Sequence, residues 1–244
     1  MNFATPLISG RLIKRYKRFM ADVMLDDGAV VTAHCMNSGS MMGLAAPDYR
    51  VWLSPVENPE AKLRYRWEMV EVEGSLVGIN TAHPNRIAAI AIAEGRVPEL
   101  AGYRNIRREV KYGSNSRIDL LLEDHEQGLP PAYVEVKNVT LKRGDAAEFP
   151  DAVTARGAKH LRELAEMVSQ GFRAVMLYIA QRADCTHFSL AGDIDPAYEA
   201  AFRAAQAAGV EVLAYDCALS PEGIRLANPL PIRLVEASMR DKER

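Results

Sequence analysis

The stretches Ser116-Arg117-Ile118-Asp119-Leu120-Leu121-Leu122 and Ala132-Tyr133-Val134-Glu135-Val136-Lys137 decide the fold. Both have the length and apolar content of buried strands, and the acid-, Gly- and Pro-rich residues 123–131 between them predict a hairpin loop. Strand side chains alternate between two faces, so Glu135 and Lys137 share one face and Val134 and Val136 the other. In the earlier strand Ile118, Leu120 and Leu122 form the apolar set, which leaves Asp119 facing the opposite way. Matching the apolar faces sets Asp119 beside Glu135 and Lys137. Two carboxylates brought together repel and are costly to bury, and a divalent cation removes that penalty. Oxygen atoms of Asp119, Glu135 and the Val136 carbonyl, completed by water and a substrate phosphate, suit Mg2+ or Mn2+. Lys137 would then orient or help deprotonate an attacking water and offset charge on the phosphate, which is phosphodiester hydrolysis. Without a cation the same residues make a buried ion-pair cluster, and their spacing alone admits both readings.

Outward from this hairpin, the pattern predicts a helix over 84–94 that starts at Pro84, strands over 107–112, 117–122 and 132–137, and a helix over 151–169. A strand over 174–180, a helix over 196–208 and a strand over 211–215 follow. The order αβββαβ with an αβ extension means a mixed sheet flanked by helices. Residues 113–116 (Gly-Ser-Asn-Ser) read as the turn of the first hairpin. Upstream of residue 80 there is no helical period. Runs over 12–25, 29–35, 51–53, 64–72 and 76–79, punctuated by Asp-Asp-Gly, Asn-Ser-Gly and Glu-Gly, predict a small barrel of the five-stranded OB type. The expected fold class is therefore mixed α/β. An OB-like barrel over 1–80 precedes an α/β domain over 81–244.

The 244 residues, 48% hydrophobic and 25% charged, have the composition of a globular protein rather than a disordered one. Thirty Lys+Arg against 32 Asp+Glu leave a net charge of −2, which excludes a polycation that coats nucleic acid by charge alone. Cys35, Cys185 and Cys217 are too few and too scattered for a disulfide framework or a zinc ribbon. No apolar run approaches the ~18 residues of a membrane span, and residues 1–10 lack a signal-peptide pattern. A cytoplasmic protein is expected.

The helix, the Asp on the second strand, the E-x-K on the third and the following helix together resemble the PD-(D/E)XK nuclease superfamily. Almost the whole chain is similar to the sugar fermentation stimulation protein A family of bacteria and archaea. The resemblance rests on Leu12-Ile13-Lys14-Arg15-Tyr16-Lys17-Arg18-Phe19, His34-Cys35-Met36-Asn37-Ser38-Gly39-Ser40-Met41, Glu109-Val110-Lys111-Tyr112-Gly113 and Ser116-Arg117-Ile118-Asp119. It continues through Val134-Glu135-Val136-Lys137-Asn138-Val139-Thr140-Leu141 and Phe149-Pro150-Asp151-Ala152-Val153-Thr154 to Lys159-His160-Leu161. The resemblance implies an N-terminal OB-like domain, a restriction-endonuclease-like domain after it, DNA binding, and a role as a proposed regulator of sugar (maltose) metabolism.

Around the Asp119 constellation lie further candidates. Lys14, Arg15, Lys17 and Arg18 interleave with Tyr16 and Phe19, the cation-plus-aromatic pattern by which OB domains hold nucleic-acid strands; it is also the pattern of a charge-protected strand edge. Arg107, Arg108 and Lys111 lead into the α/β domain, where they would hold phosphates or form a solvated face. Lys159 and His160, in the helix after E-x-K, are candidates to support the site from behind, and Glu94 at the end of the first helix is a weaker one. His34 and Cys35 face opposite sides of a strand and do not make a zinc pair. The function expected is DNA binding by a regulator on a nuclease-like scaffold. The alternatives are a Mg2+-dependent DNA nuclease and, last, a module binding a small sugar metabolite.

Overall fold

A computed structural model describes residues 1–58, 60–113 and 116–234. The first six strands are β1 (Ile8–Tyr16), β2 (Met20–Leu25), β3 (Val30–Cys35), β4 (Arg50–Pro55), β5 (Tyr65–Val72) and β6 (Ser75–Gly78). They run in the order β3-β2-β1-β4-β5-β6, and a parallel pairing of β3 with β5, Ala33 opposite Tyr65, closes β1 to β5 into a barrel. Alternate residues fill it: Leu12, Val23, Ala33, Cys35, Val51, Leu53, Trp67 and Val70 are buried together. The run over 12–25 is two strands, not one. It folds back at Lys17–Phe19, where Lys17 (φ 49°) and Arg18 (φ 62°) take the left-handed conformation. No Gly or Asn marks that turn, so its usual sequence signal is missing.

The second region is built on α1 (Pro84–Ala93), β7 (Tyr103–Tyr112), β8 (Ser116–His125), β9 (Ala132–Val139), β10 (Leu141–Arg143), β11 (Ala146–Phe149) and α2 (Ala155–Ser169). It continues with β12 (Arg173–Ala180), β13 (His187–Leu190), α3 (Pro196–Ala207), β14 (Glu211–Ser220) and β15 (Gly223–Pro229). The main sheet has the order β15-β14-β12-β9-β8-β7, with β9, β12 and β14 parallel and the outer pairs antiparallel. This is the αβββαβ arrangement expected from the sequence. Strands β10, β11 and β13 add a small three-stranded sheet that the period did not predict, being three or four residues each. Helix α2 starts at Ala155 rather than 151, because Thr154 caps it by accepting the Gly157 N–H. Residues 114 and 115 of the expected 113–116 turn lie outside the described residues.

One apolar layer lies under α1 and another under α2 and α3. Trp52 and Met69, paired across β4 and β5, turn out of the barrel into the α1 layer with Ile87, Ala88 and Ala91. Polar bonds reinforce the junction. Gly78 N–H donates to the Gln181 carbonyl at 2.8 Å, and Gln181 Nε2 donates to the Asn80 carbonyl at 3.2 Å. Among the described residues no helix is long and apolar enough to cross a membrane.

Candidate metal centre and nucleic-acid surface

The hairpin β7–β8 kinks at Glu109 and Asp119. Leu120, Leu122 and Ile106 pack in the α1 layer, whereas Ile118, Val110 and Tyr112, also even-numbered, pack in the α2 layer. The expectation that Ile118 shares a face with Leu120 and Leu122 is therefore corrected: alternation breaks at Asp119, opposite a left-handed Glu109 (φ 54°). A kink of this kind re-aims one side chain between two layers.

The same point opens the sheet. Backbone pairing of β8 with β9 extends from Leu122–Ala132 to Leu120–Val134. Beyond it the Val136 N–H, without a β8 carbonyl, donates to Asp119 Oδ2 at 2.8 Å. A carboxylate thus replaces a rung of the ladder, as a backbone donor away from water requires. The N–H and C=O of one strand residue point to the same side, so the Val136 carbonyl faces the same gap. Asp119 Oδ1 accepts from Asn85 Nδ2 of α1 at 2.6 Å. Burial first, then the charge of Glu135, pushes the Asp119 carboxyl up to about 6.

Glu135 is 2% exposed. Its Oε1 takes Lys137 Nζ at 2.7 Å and the His160 Nδ1 contact. Arg156 Nε donates to His160 Nε2 at 3.3 Å, and Lys137 Nζ also lies 3.2 Å from His160 Nδ1. Burial opposes charge on Glu135, but the His160 hydrogen bond and Lys137 outweigh it and hold the carboxyl below its ordinary value. Among the described residues Glu135 Oε2 has no partner. Of the five buried side-chain atoms without a partner among the described residues, Glu135 Oε2, Glu163 Oε2 and the Tyr112 hydroxyl belong to residues around this cluster. Unpaired polar groups cost free energy, and three of these five gather around one cluster.

Two carboxylates with an open oxygen and an adjacent carbonyl are a donor set suited to a hard cation, which water and a phosphate complete. Among the described residues no three His, Cys, Asp or Glu side chains converge on a metal position, so the side-chain oxygens offered here are those of Asp119 and Glu135 alone. Asp119 opens on a cleft of about 440 Å³ lined also by Glu109, Ser116, Arg117, Arg156, Lys159 and His160.

The structure thus gathers Asp119, Glu135, Val136, Lys137 and His160. Lys159 is at the cleft but serves other partners, Ser116 Oγ at 3.0 Å and Glu163 at 3.2 Å. Glu94 pairs with Arg96 at 2.6 Å, at the opposite end of α1 from the Asn85 contact to Asp119. The sequence reading does not single out Asn85 and gives no role to Arg117 or Arg156, although Arg117 adjoins Asp119 in the deciding stretch and Arg156 opens the helix after E-x-K. The spacing of Arg156 and His160, four apart on one helical face, was the available signal for one of them.

The basic candidates separate as well. Arg15 Nη2 donates to the Asn37 and Gly39 carbonyls at 3.0 Å each, so its guanidinium braces a turn. Lys14 pairs with Asp22 at 3.6 Å and stands over the Tyr16 ring, whose hydroxyl also bonds Asp22. Lys17 and Arg18 are exposed at the hairpin tip. Arg107 pairs with Glu123 at 3.3 Å, while Arg108 and Lys111 are exposed on edge strand β7.

Two family models match the chain: the SfsA N-terminal OB domain over residues 13–79 and the sugar fermentation stimulation protein RE domain over 82–223. A sugar fermentation stimulation protein homolog of Paramagnetospirillum magneticum is 61% identical over 97% of this chain and 99% of its own length. The homolog of Roseobacter denitrificans is 57% identical over 96% and 100%. The solved structure of Pyrococcus furiosus SfsA superimposes with a TM-score of 0.85 at 28% identity, over 96% of this chain and 98% of that one. With both domain models matched in order and full-length relatives at this identity, the chain belongs to the sugar fermentation stimulation protein family.

Proposed function

We propose that the chain binds DNA and hydrolyses its phosphodiester bonds with Mg2+ or Mn2+. The observation that carries the reading is Glu135 Oε2, buried and without a partner among the described residues, close enough to Asp119 for its charge to raise that carboxyl, while Asp119 itself lines a cationic cleft. Asp119, Glu135 and the Val136 carbonyl would hold the cation, which when bound supplies Lewis-acid polarisation of the phosphate. The Pyrococcus furiosus relative was solved in complex with Ca2+, a hard cation of the class such oxygen donors take.

The chain's own groups do the rest. Lys137 Nζ lies against Glu135 Oε1, where it would orient a water and offset charge on the phosphate. His160, braced by Arg156, holds Glu135 Oε1 so that Oε2 stays directed at the site. Asn85 and the Val136 N–H fix both oxygens of Asp119. Arg117 at the cleft would neutralise an approaching phosphate.

Cleavage of single-stranded, duplex and branched DNA by wild type and Asp119→Ala, with Mg2+ or Mn2+, tests this. Cleavage by wild type and its loss in the variant is expected. No cleavage by either overturns hydrolysis and favours a second reading, a DNA-binding regulator of sugar (maltose) metabolism. That reading is supported by the way Lys137 and His160 already compensate Glu135. Absence of gel-shift binding at low salt, where phosphate contacts are strongest, would end both.

A further inference from the structure

The tip of the β1–β2 hairpin presents an aromatic ring and two cations to solvent. Left-handed Lys17 and Arg18 form the turn, and Phe19 follows with 49% of its surface exposed. The position of Phe19 is fixed: its carbonyl accepts the Cys35 N–H at 2.8 Å, and its ring lies 6.4 Å from that of His34, tilted by 48°. Among the described residues neither Lys17 nor Arg18 has a carboxylate partner, unlike their neighbour Lys14. Phe19 is also the one aromatic among the large apolar residues exposed in the described chain.

This surface is joined to the cleft. Two residues after Cys35, the Asn37 carbonyl is held by Arg15 of the same hairpin. The Met36 carbonyl accepts from Thr81 Oγ1 at 2.7 Å, and four residues further on Asn85 touches Asp119. Ser40 Oγ reaches Asp151, just ahead of the helix that carries Arg156 and His160. A strand lying on the hairpin is therefore supported by the frame that positions the cleft.

We propose that Phe19 is a stacking platform for an unpaired base, with Lys17 and Arg18 holding the flanking phosphates, so that the barrel selects single-stranded DNA. This rests on the DNA-binding reading above. A flat, exposed ring fits an unpaired base, which has a free π-face, whereas bases inside a duplex already stack on each other. The two unpaired cations match the phosphate charge, which argues for a nucleic-acid occupant over an apolar one.

Fluorescence anisotropy with the full chain, at low salt and without divalent cation, compares a labelled oligothymidylate with a duplex of equal length. Tighter binding of the single strand is expected. Phe19→Ala should weaken it by about 5- to 150-fold, the range for one stacked base, with little change for duplex, and Phe19→Trp should restore it. Lys17→Ala with Arg18→Ala should lower the slope of log affinity against log salt by about 1.4, for two lost single-strand phosphate contacts. Unchanged single-strand binding by Phe19→Ala, or an equal loss on both DNAs, overturns the proposal and leaves DNA binding standing. So does a shift from dimer to monomer on Phe19→Ala in sedimentation, which would assign the ring to a second copy of the chain. No binding of either DNA by wild type overturns the DNA reading itself.

Discussion

Two buried glutamates, one in each half of the molecule, have the same burial and opposite states. Glu68 on β5 and Glu135 on β9 are each 2% exposed and each touch a histidine. Glu68 is satisfied on both oxygens: Ser54 Oγ donates to Oε1 at 2.6 Å, while Asn80 Nδ2 and His83 Nε2 each lie 2.7 Å from Oε2. Glu135 crowds its donors onto Oε1 and leaves Oε2 bare. A buried carboxylate with a complete shell stabilises structure, here by tying the Asn80–His83 link to the barrel. One with an open oxygen, next to a second carboxylate that burial has pushed up to about 6, keeps an acceptor that the protein itself does not use. The difference separates a structural pin from a candidate catalytic centre, although the two residues look alike in sequence.

The largest test of this contrast is activity. Asp119→Ala should reduce metal-dependent DNA cleavage by at least about a hundredfold, since a cation on a phosphate contributes several kcal/mol to transition-state stabilisation. Glu68→Gln should leave any such cleavage by the folded protein within a factor of a few. An equal loss in both would erase the distinction.

Stability should show the reverse. Glu68→Ala strands three donors and should cost about 3 kcal/mol, at ~1–3 kcal/mol per unsatisfied buried group with partial relaxation, read from urea unfolding. Asp119→Asn should instead stabilise the cation-free protein at pH 7.5, by up to about 3 kcal/mol, the equivalent of moving a carboxyl from 3.8 to about 6. Part of that gain is offset by a poorer fit of the amide to the Val136 and Asn85 donors.

A divalent cation should raise the melting temperature of wild type and of Glu68→Gln but not of Asp119→Ala. The stabilisation is about 2.7 kcal/mol at a hundredfold excess over Kd. Equal shifts in all three would place the cation elsewhere.

The pH dependence carries opposite signs for Asp119 and Glu68. The Asp119 carboxyl is raised on folding, so the native state binds more protons than the unfolded one between about 4 and about 6, and its contribution to stability falls as pH rises through that window. Burial works against the charge of Glu68, but His83, Ser54 and Asn80 together hold it below its ordinary value. Its contribution is present above about 4.5 and is lost as pH falls through the folded value. Asp119→Asn should flatten the first limb and Glu68→Gln the second in unfolding measured from pH 3 to pH 8. Interchanged effects would refute the assignment.

Much of this was legible in the residue order. The period-two runs and Gly- or Asn-marked turns disclosed the barrel and the αβββαβ order, and the two strands around Asp119 and Glu135 disclosed the carboxylate pair with Lys137. The hairpin turn at Lys17–Phe19 was not, because a left-handed Lys-Arg pair carries no Gly or Asn signal. Short strands such as β10 and β11 offer too few residues for a period. The separate fates of Lys14, Arg15 and Lys17, adjacent in sequence and alike in charge, depend on which of them finds Asp22 or the turn carbonyls.

The sequence by itself determined the local periods, the breaks between elements and the residue types at the site, because strand and helix geometry are set by neighbours along the chain. Only the tertiary structure decided which carboxylate oxygen remains open. That outcome depends on a kink that moves Ile118 and Leu120 into different layers, on the parting of β8 from β9 beyond Leu120–Val134, and on the reach of Asn85 and His160 from helices distant in sequence. These are non-local pairings, and no rule of spacing along one strand contains them.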